Sequence, residues 1–215
     1  MQDYDIARWG PLLRYSAELV GTVAFALSGI LAGMRKQMDI VGICVLGFLA
    51  AFAGGTLRDI LLDRRPFFWV ADVSLLWLVL GLCVASLLLL RGGRRPVSDK
   101  AIQVADALGL GLFAASGVQN ALVANMPLLV AVLMGVVTGV FGGVMRDIAC
   151  NEMPTAFADH RPYAVCGFMG GWMYIFGEWL DWAGWVVALA SIATTTGLRL
   201  LALKFDWRLP DWRNG

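Results

Sequence analysis

Charged residues are scarce in this sequence of 215 residues: Asp, Glu, Lys and Arg make up 15% of it, whereas hydrophobic residues make up 59%. The formal net charge is only +1. The chain therefore lacks the basic excess typical of a nucleic-acid-binding protein, and no nucleic-acid partner is expected. It is also far more apolar than an ordinary soluble domain, which predicts an integral membrane protein.

Histidine and closely spaced cysteine pairs are also scarce or missing. The only histidine, His160, lies in a predicted loop, and the four cysteines lack the C-x-x-C spacing of a zinc site or a redox pair. No nucleophile stands beside a base, and no HExxH motif occurs in the sequence. We therefore expect no metal, no cofactor, no disulfide framework and no enzymatic activity.

Long apolar runs are what the sequence does contain. A helix needs about 20 mostly apolar residues to cross a bilayer, and the alternation typical of membrane β-strands is missing. The prediction is an all-α integral membrane protein with seven transmembrane helices in a single membrane domain over 1–215. The predicted spans one to seven are 14–34, 40–62, 70–91, 103–122, 127–149, 163–181 and 183–204.

One signature occurs twice in the sequence, 88 positions apart. Residues 53–60 read AGGTLRDI and residues 141–148 read FGGVMRDI. The same gapless offset aligns further positions, among them Glu18 with Asp106. This gapless alignment predicts a duplicated membrane unit of the kind that forms pathways in transport proteins. The predicted parts are three-helix repeats at 14–91 and 103–181, a linker at 92–102 and a seventh helix at 183–204.

Lysine and arginine are distributed unevenly between the predicted loops. With the N-terminus outside, eleven of them, Arg199 included, fall in inner segments and four in outer segments, if Arg58 and Arg146 of the repeated motif are left aside. The positive-inside rule then favours an outer N-terminus and a cytoplasmic C-terminus in the cell (inner) membrane. Because each repeat has three helices, an odd number, the second repeat is predicted to be inverted relative to the first.

The glycine pairs of the motif are expected to break spans two and five. Gly54-Gly55 and Gly142-Gly143 lose backbone entropy and offer no side chain for packing, which predicts a kink or a short unwound stretch at corresponding depths. Backbone groups freed in this way must face a cavity or a polar neighbour, and such breaks mark permeation or binding sites. The alternative is that the glycines only allow close helix packing.

The charged half of the motif predicts a polar network inside the membrane. Arg58-Asp59 and Arg146-Asp147 lie near spans, where charges are costly and usually face the bundle interior. Adjacent helix residues point about 100° apart, so an arginine is not expected to pair with the aspartate that follows it. Carboxylates on other helices are the expected partners, in a network that serves structure, ion passage or both. The candidate partners are Glu18 and Asp106.

Small polar residues near the glycine pairs complete the candidate site. Ser28 and Ser116 align in the two repeats, and each would line a narrow wet path or hydrogen-bond a neighbouring helix. Thr56 directly follows the first glycine pair. The candidate residues for the pore kinks and lining are Gly54, Gly55, Thr56, Gly142, Gly143, Ser28 and Ser116.

The doubled Gly-Gly-x-x-Arg-Asp motif, the inverted repeat and the seventh helix together resemble the TRIC family of trimeric intracellular cation channels, and its prokaryotic branch more closely. The resemblance covers about 14–204, nearly the whole chain. It implies a homotrimer in which each subunit has its own pore near the kinks of spans two and five. The implied permeant ions are K⁺ and other monovalent cations, and membrane lipids are the remaining expected partners.

Two features depart from the animal members of that family. Their glycine triplet is replaced by Ala53-Gly54-Gly55 in one repeat and by Phe141-Gly142-Gly143 in the other, which makes Phe141 a candidate gate. Their long basic C-terminal tail has no counterpart, because only about eleven residues follow span seven. Phosphoinositide control is therefore not implied for this chain.

Two alternatives to a passive cation channel remain open at this point. A half-helix N-terminus opposite Arg58 or Arg146 would hold a carboxylate, which suits a transporter of a small metabolite such as glycine or another amino acid. A scaffold protein is the other alternative, because charged motifs also serve structural roles. Ion flux and saturable uptake separate the three hypotheses.

Overall fold

A computed structural model describes residues 11–90, 98–158 and 160–208 of the protein. These residues form helices and connecting segments without any β-strand, which confirms the prediction of an all-α protein. Seven of the helices are long and two have four residues each. In chain order they are α1 (Pro11–Arg35), α2 (Ile40–Leu61), α3 (Phe68–Ala71), α4 (Val73–Leu90), α5 (Asp99–Val123), α6 (Leu128–Ala149), α7 (Thr155–Ala158), α8 (Ala164–Trp179) and α9 (Gly184–Lys204).

Five helices of the described chain are long and apolar enough to cross a membrane, namely α1, α2, α5, α6 and α9. The predicted spans three and six correspond to shorter helices, α4 with 18 residues and α8 with 16. Each follows a separate short helix, α3 or α7, that the sequence did not predict. The predicted linker at 92–102 lies largely outside the described residues, but α5 already begins at Asp99.

The helix bounds repeat along the chain at the offset seen in the sequence. Helices α1 and α5 begin and end 88 residues apart, and so do α2 and α6. The residues with left-handed backbone that follow these helices also recur, since Gln37 and Asp63 correspond to Asn125 and Asn151, with φ between 50° and 55°. A residue in this conformation directs the following N–H groups back to the carbonyls of the last turn, which ends the helix.

The glycine pairs lie inside continuous helices. Both α2 and α6 run through their pair without interruption, so the predicted unwound stretch is wrong. The physical reason is close contact between the two helices. A Cβ on Gly54 would lie 2.1 Å from the carbonyl oxygen of Thr138, and a Cβ on Gly142 would lie 2.5 Å from that of Ala50. The missing side chains thus let α2 and α6 touch through their backbones, which is the alternative role considered above.

Two apolar cores flank this contact between α2 and α6. Helices α1, α2 and α4 pack around Phe52 and Val79, whereas α5, α6, α8 and α9 pack around Val118. Phe25 of α1 and Phe113 of α5 meet between the two cores, with ring centroids 5.5 Å apart. The two rings occupy positions related by the 88-residue offset, so they mark the centre of the molecule.

We predict that Gly54→Ala and Gly142→Ala destabilise the protein, because the added methyl group meets a backbone oxygen that cannot move aside. Overpacking of this kind costs roughly 1–3 kcal/mol. The measurement is the apparent melting temperature of the purified protein in detergent. Gly81→Ala is the matched control, since a Cβ there has nothing within 4 Å. Equal melting temperatures for the three variants would contradict the proposed helix contact.

Candidate functional site

Arg146 is buried near the end of α6 and makes several polar contacts. Its Nη1 lies 2.7 Å from Asp106 Oδ1 on α5 and donates a hydrogen bond to Ser28 Oγ on α1. Its Nε donates to Asp147 Oδ1 at 2.8 Å. The side chain is 4% exposed. A buried guanidinium needs carboxylates nearby to offset its lost hydration, and Arg146 contacts two.

Arg58 occupies the corresponding position in α2 and is fully buried. Its Nη1 lies 3.4 Å from Glu18 Oε1 and donates to Ser116 Oγ at 3.1 Å, while its Nε donates to Asp59 Oδ1 at 2.8 Å. The guanidinium also lies over the ring of Phe68, 5.3 Å from its centroid. Each arginine therefore contacts a carboxylate of its own repeat and a serine of the other repeat.

The aspartate of each motif joins its arginine to a short helix. Asp59 Oδ2 accepts from the backbone N–H of Phe68, the first residue of α3, at 2.8 Å. Asp147 Oδ2 accepts from the backbone N–H of Thr155, the first residue of α7, at 2.9 Å. Each carboxylate thereby satisfies an N–H group that has no partner within its helix.

The prediction that each arginine does not pair with the adjacent aspartate is wrong. Neighbouring helix positions do point about 100° apart, but the arginine side chain is long enough to fold back along the helix surface. In both repeats its Nε reaches the nearer carboxylate oxygen at 2.8 Å. The contacts with Glu18 and Asp106 on other helices are present as well.

Two cavities lie beside the two arginines. The Glu18 cavity has a volume of about 200 Å³, and the Asp106 cavity has a volume of about 160 Å³. The Glu18 cavity is lined by Tyr15, Glu18, Asp59, Arg64, Pro66, Phe68, Ala71, Asp72 and Leu75. The Asp106 cavity is lined by Ala32, Arg35, Asp99, Ile102, Gln103, Asp106, Arg146, Asp147, Glu152, Thr155 and Arg199.

The lining of each cavity has an excess of negative charge. Three carboxylates and Arg64 line the Glu18 cavity, and the buried Arg58 contacts two of these carboxylates, which leaves an excess of one carboxylate. Four carboxylates and three arginines line the Asp106 cavity, which gives an excess of one. Clefts lined by one sign of charge raise the local concentration of ions of the opposite sign. Both cavities should therefore attract cations.

An apolar barrier lies between the two cavities. Along α1, Tyr15 and Glu18 line one cavity and Ala32 and Arg35 line the other, so the two groups are roughly 20 Å apart at 1.5 Å per residue. Phe25 lies midway between them and contacts Phe113 of α5. The cavities are thus two separate vestibules in this conformation.

The glycines and Thr56, predicted to line a pore, line neither cavity. Gly55 is buried against the ring of Phe68, and Gly143 is buried against the hydroxyl group of Tyr163. Thr56 Oγ1 donates to the carbonyl of its own helix at Phe52 and accepts from Trp69 Nε1 at 2.9 Å. The sides of α2 and α6 on which these residues lie are therefore covered by packed side chains.

Some of the other predicted residues contact the two arginines, and the rest lie in more exposed positions. Ser28 and Ser116 are buried and hold the two arginines. Phe141, the candidate gate, is half-buried and is not part of either lining. His160 is exposed, and residues 11–90, 98–158 and 160–208 contain no group of three or more His, Cys, Asp or Glu side chains suited to a metal ion.

Arg199 is a site residue that the sequence interpretation placed wrongly. It was counted with the inner loops and tail, but it belongs to α9, is 3% exposed and lines the Asp106 cavity. An ionisable residue inside an apolar span was the available signal. Of the other lining carboxylates, Asp72 lies at the start of the predicted span three, whereas Glu152 lies in a predicted loop, where a charged residue is no signal of a site.

Comparison with known proteins gives one family for most of the chain. The family model described as Glycine transporter matches residues 15–91 and again residues 103–179. The second match begins and ends 88 residues after the first. The motifs and helix bounds recur at the same offset.

Similar proteins include bacterial membrane proteins of nearly the same length. The UPF0126 inner membrane protein YadS of Escherichia coli strain K12 is 36% identical over 206 residues, which cover 94% of this chain and 97% of YadS. A UPF0126 membrane protein of Vibrio cholerae serotype O1 is 34% identical over 200 residues, covering 93% of this chain and 83% of the relative.

Solved structures with a similar fold are TRIC channels. The TRIC trimeric intracellular cation channel orthologue from Rhodobacter sphaeroides has a TM-score of 0.83 at 28% identity, covering 91% of this chain and 99% of the other. A second TRIC cation channel, whose structure addresses the basis of conductance, has a TM-score of 0.80 at 32% identity. The match covers 92% of this chain and 96% of the other.

We predict that Asp106→Asn destabilises the protein more than Glu18→Gln at the corresponding position. The Asp106 side chain is 5% exposed and 2.7 Å from Arg146, whereas Glu18 is 17% exposed and 3.4 Å from Arg58. Removing one partner of a well-buried pair costs about 3–5 kcal/mol. Apparent melting temperatures in detergent provide the measurement, with Asp206→Asn as the exposed control. A larger effect of Glu18→Gln would contradict this ranking.

Proposed function

The chain belongs to the TRIC-related family that the glycine-transporter model describes, and on this premise we propose that it is a passive channel for monovalent cations, chiefly K⁺. This membership confirms the resemblance noted for the doubled motif. Relatives of the chain are membrane proteins and TRIC channels. The chain is accordingly a multi-pass membrane protein and not an enzyme.

The excess of carboxylates in both cavities is the observation that carries the proposal. A cation that enters from either end of the bundle meets negatively charged walls, whereas Cl⁻ is repelled from both. Carboxylate oxygens also replace part of the hydration shell of a cation that enters a narrow passage. Two such vestibules on one path favour the passage of cations.

The buried arginines do not oppose this role, because their charges are offset locally. Arg146 contacts Asp106 and Asp147, and Arg58 contacts Glu18 and Asp59. We assign both arginines a positioning role: they hold α2 and α6 against α1 and α5. Each arginine contacts two carboxylates, so a permeating cation would encounter a group with a net negative charge instead of an isolated positive charge.

The path is closed at its centre in this conformation. The rings of Phe25 and Phe113 meet there, next to the contacts that Gly54 and Gly142 allow between α2 and α6. We propose that opening slides these two helices past each other and turns the rings aside, since packed helices can shear by small distances. The role of Phe141 as a gate stays a prediction.

The proposed arrangement in the membrane follows from the same features. We propose seven transmembrane helices, formed by two inverted three-helix repeats and α9, with an outer N-terminus in the inner membrane. Arg35 and Lys36 stand at the α1 end beside the Asp106 cavity, which supports placing this end in the cytoplasm. We also propose a homotrimer surrounded by membrane lipids, because the Rhodobacter sphaeroides relative is described as trimeric.

The deciding experiment is a reversal potential in planar bilayers containing the purified protein, with a KCl gradient. We expect a potential close to the K⁺ equilibrium potential that does not depend on glycine. A potential near zero or near the Cl⁻ equilibrium potential would overturn cation selectivity. Saturable glycine uptake into proteoliposomes, without current in its absence, would show a carrier of small metabolites instead.

We predict that Gly143→Leu lowers the K⁺ current several-fold or more. A Cβ at this position would lie 2.8 Å from the Tyr163 hydroxyl and 3.0 Å from Asp106 Oδ1, so the larger side chain displaces a carboxylate that lines the Asp106 cavity. Gly197→Leu is the control, because a Cβ there has nothing within 4 Å. Equal currents in the two variants would show that the Gly143 contact does not influence conduction.

A further inference from the structure

Thr22 of α1 is a fully buried threonine whose hydroxyl group has no hydrogen-bond partner within the part of the chain that the structure describes. The buried Thr138 of α6 instead donates to the carbonyl of Met134, one turn earlier in its own helix, at 2.6 Å. An unpaired buried hydroxyl costs free energy, and each such group in a native protein calls for an explanation. The packing of the closed bundle gives the Thr22 hydroxyl no role.

Thr22 lies between the Glu18 cavity and the apolar barrier. Glu18, Thr22 and Phe25 follow one another at intervals of four and three residues, so they share one face of α1. At 1.5 Å per residue, Thr22 is about 6 Å along the helix axis from Glu18 and about 4.5 Å from Phe25. Glu18 lines the cavity, and Phe25 meets Phe113. Thr22 is thus the last polar side chain on this face before the two rings.

The second repeat has no hydroxyl group at the corresponding position. Thr22 corresponds to Leu110 under the 88-residue offset. Leu110 is fully buried and packs with Val140 and Val144 of α6 in an apolar core. The face of α5 that bears Asp106 therefore becomes apolar directly beyond the cavity, whereas the face of α1 that bears Glu18 continues with a polar group.

A threonine hydroxyl is a suitable ligand for a partly dehydrated cation. Its oxygen has two lone pairs, and oxygen atoms of the protein replace the water that an ion loses in a narrow passage. This replacement is needed most beside the apolar barrier, because the phenylalanine rings offer no oxygen. Thr22 Oγ1 is also available without the loss of a hydrogen bond inside the protein.

We infer that the Thr22 hydroxyl binds the permeating cation between the Glu18 cavity and the contact of Phe25 with Phe113. This inference rests on the proposed channel function and names an inner ligand of the same path. The bound species is a monovalent cation such as K⁺ that has lost part of its hydration shell. The hydroxyl group is unpaired in the closed conformation and gains its partner when an ion passes.

The test is the single-channel conductance of Thr22→Val in planar bilayers, measured over a series of symmetrical KCl concentrations. Conductance saturates as the ion sites fill, so the half-saturating concentration reports how well the path binds K⁺. Loss of one oxygen ligand should raise this concentration by roughly fivefold. The apparent melting temperature in detergent should equal or exceed that of the native protein, because a methyl group replaces a hydroxyl that has no partner.

Thr195→Val is the matched control, because Thr195 is also a fully buried threonine with an unpaired hydroxyl. It packs against Gly170 of α8 and lines neither cavity, so this variant should keep the native half-saturating concentration.

A second pair of variants isolates the hydroxyl group. Thr22→Ser keeps the hydroxyl and should keep a half-saturating concentration close to the native one. Thr22→Ala loses it and should behave like Thr22→Val. Both variants lack the methyl group of threonine, so their comparison tests the inference even if Thr22→Val does not fold.

The outcomes distinguish failure of the inference from failure of the proposed function. A native protein that carries no K⁺ current would remove both. A native channel that conducts K⁺, together with a Thr22→Val channel of unchanged half-saturating concentration, would overturn the inference alone. Equal increases in Thr22→Ser and Thr22→Ala, or in Thr22→Val and Thr195→Val, would also overturn it, because the effect would then come from packing.

Discussion

The rest of the structure depends on two guanidinium groups buried in a membrane protein. A charge removed from water is tolerated only where opposite charges and hydrogen-bond partners surround it. Arg58 and Arg146 each have the adjacent aspartate, a carboxylate on α1 or α5 and a serine from the other repeat as partners. These requirements bring α1, α2, α5 and α6 together at two points, and the small residues between those points allow the helices to touch.

The carboxylates that neutralise the arginines also give the cavity linings their negative charge. The carboxylates that offset the buried charges, among them Glu18 and Asp106, line the same cavities that open beside the arginines. Additional acidic residues from the loops, Asp72 and Glu152, leave each lining negative. One set of groups therefore stabilises the bundle and attracts cations to it.

Much of the fold could be predicted from the sequence, because a gapless offset of 88 residues fixes which helices correspond. The bounds of α2 were predicted to within one residue, and the carboxylate partners of both arginines lie where the offset placed them. The serine contacts across the repeats and the short helix α3 could not be predicted, since they depend on three-dimensional packing. The unwound stretch expected at the glycine pairs is wrong for the same reason: entropy alone suggests a break, but contact with a neighbouring backbone keeps the helix continuous.

Phe25 and Phe113 differ from the other paired contacts in one respect. Gly54 meets Thr138 and Gly142 meets Ala50, so that contact occurs twice, once for each repeat. The phenylalanines occupy equivalent positions and meet each other, which makes them a single contact shared by both halves. An impermeant blocking ion would therefore stop at the same obstacle from either face of the membrane, at an electrical distance close to one half of the transmembrane voltage.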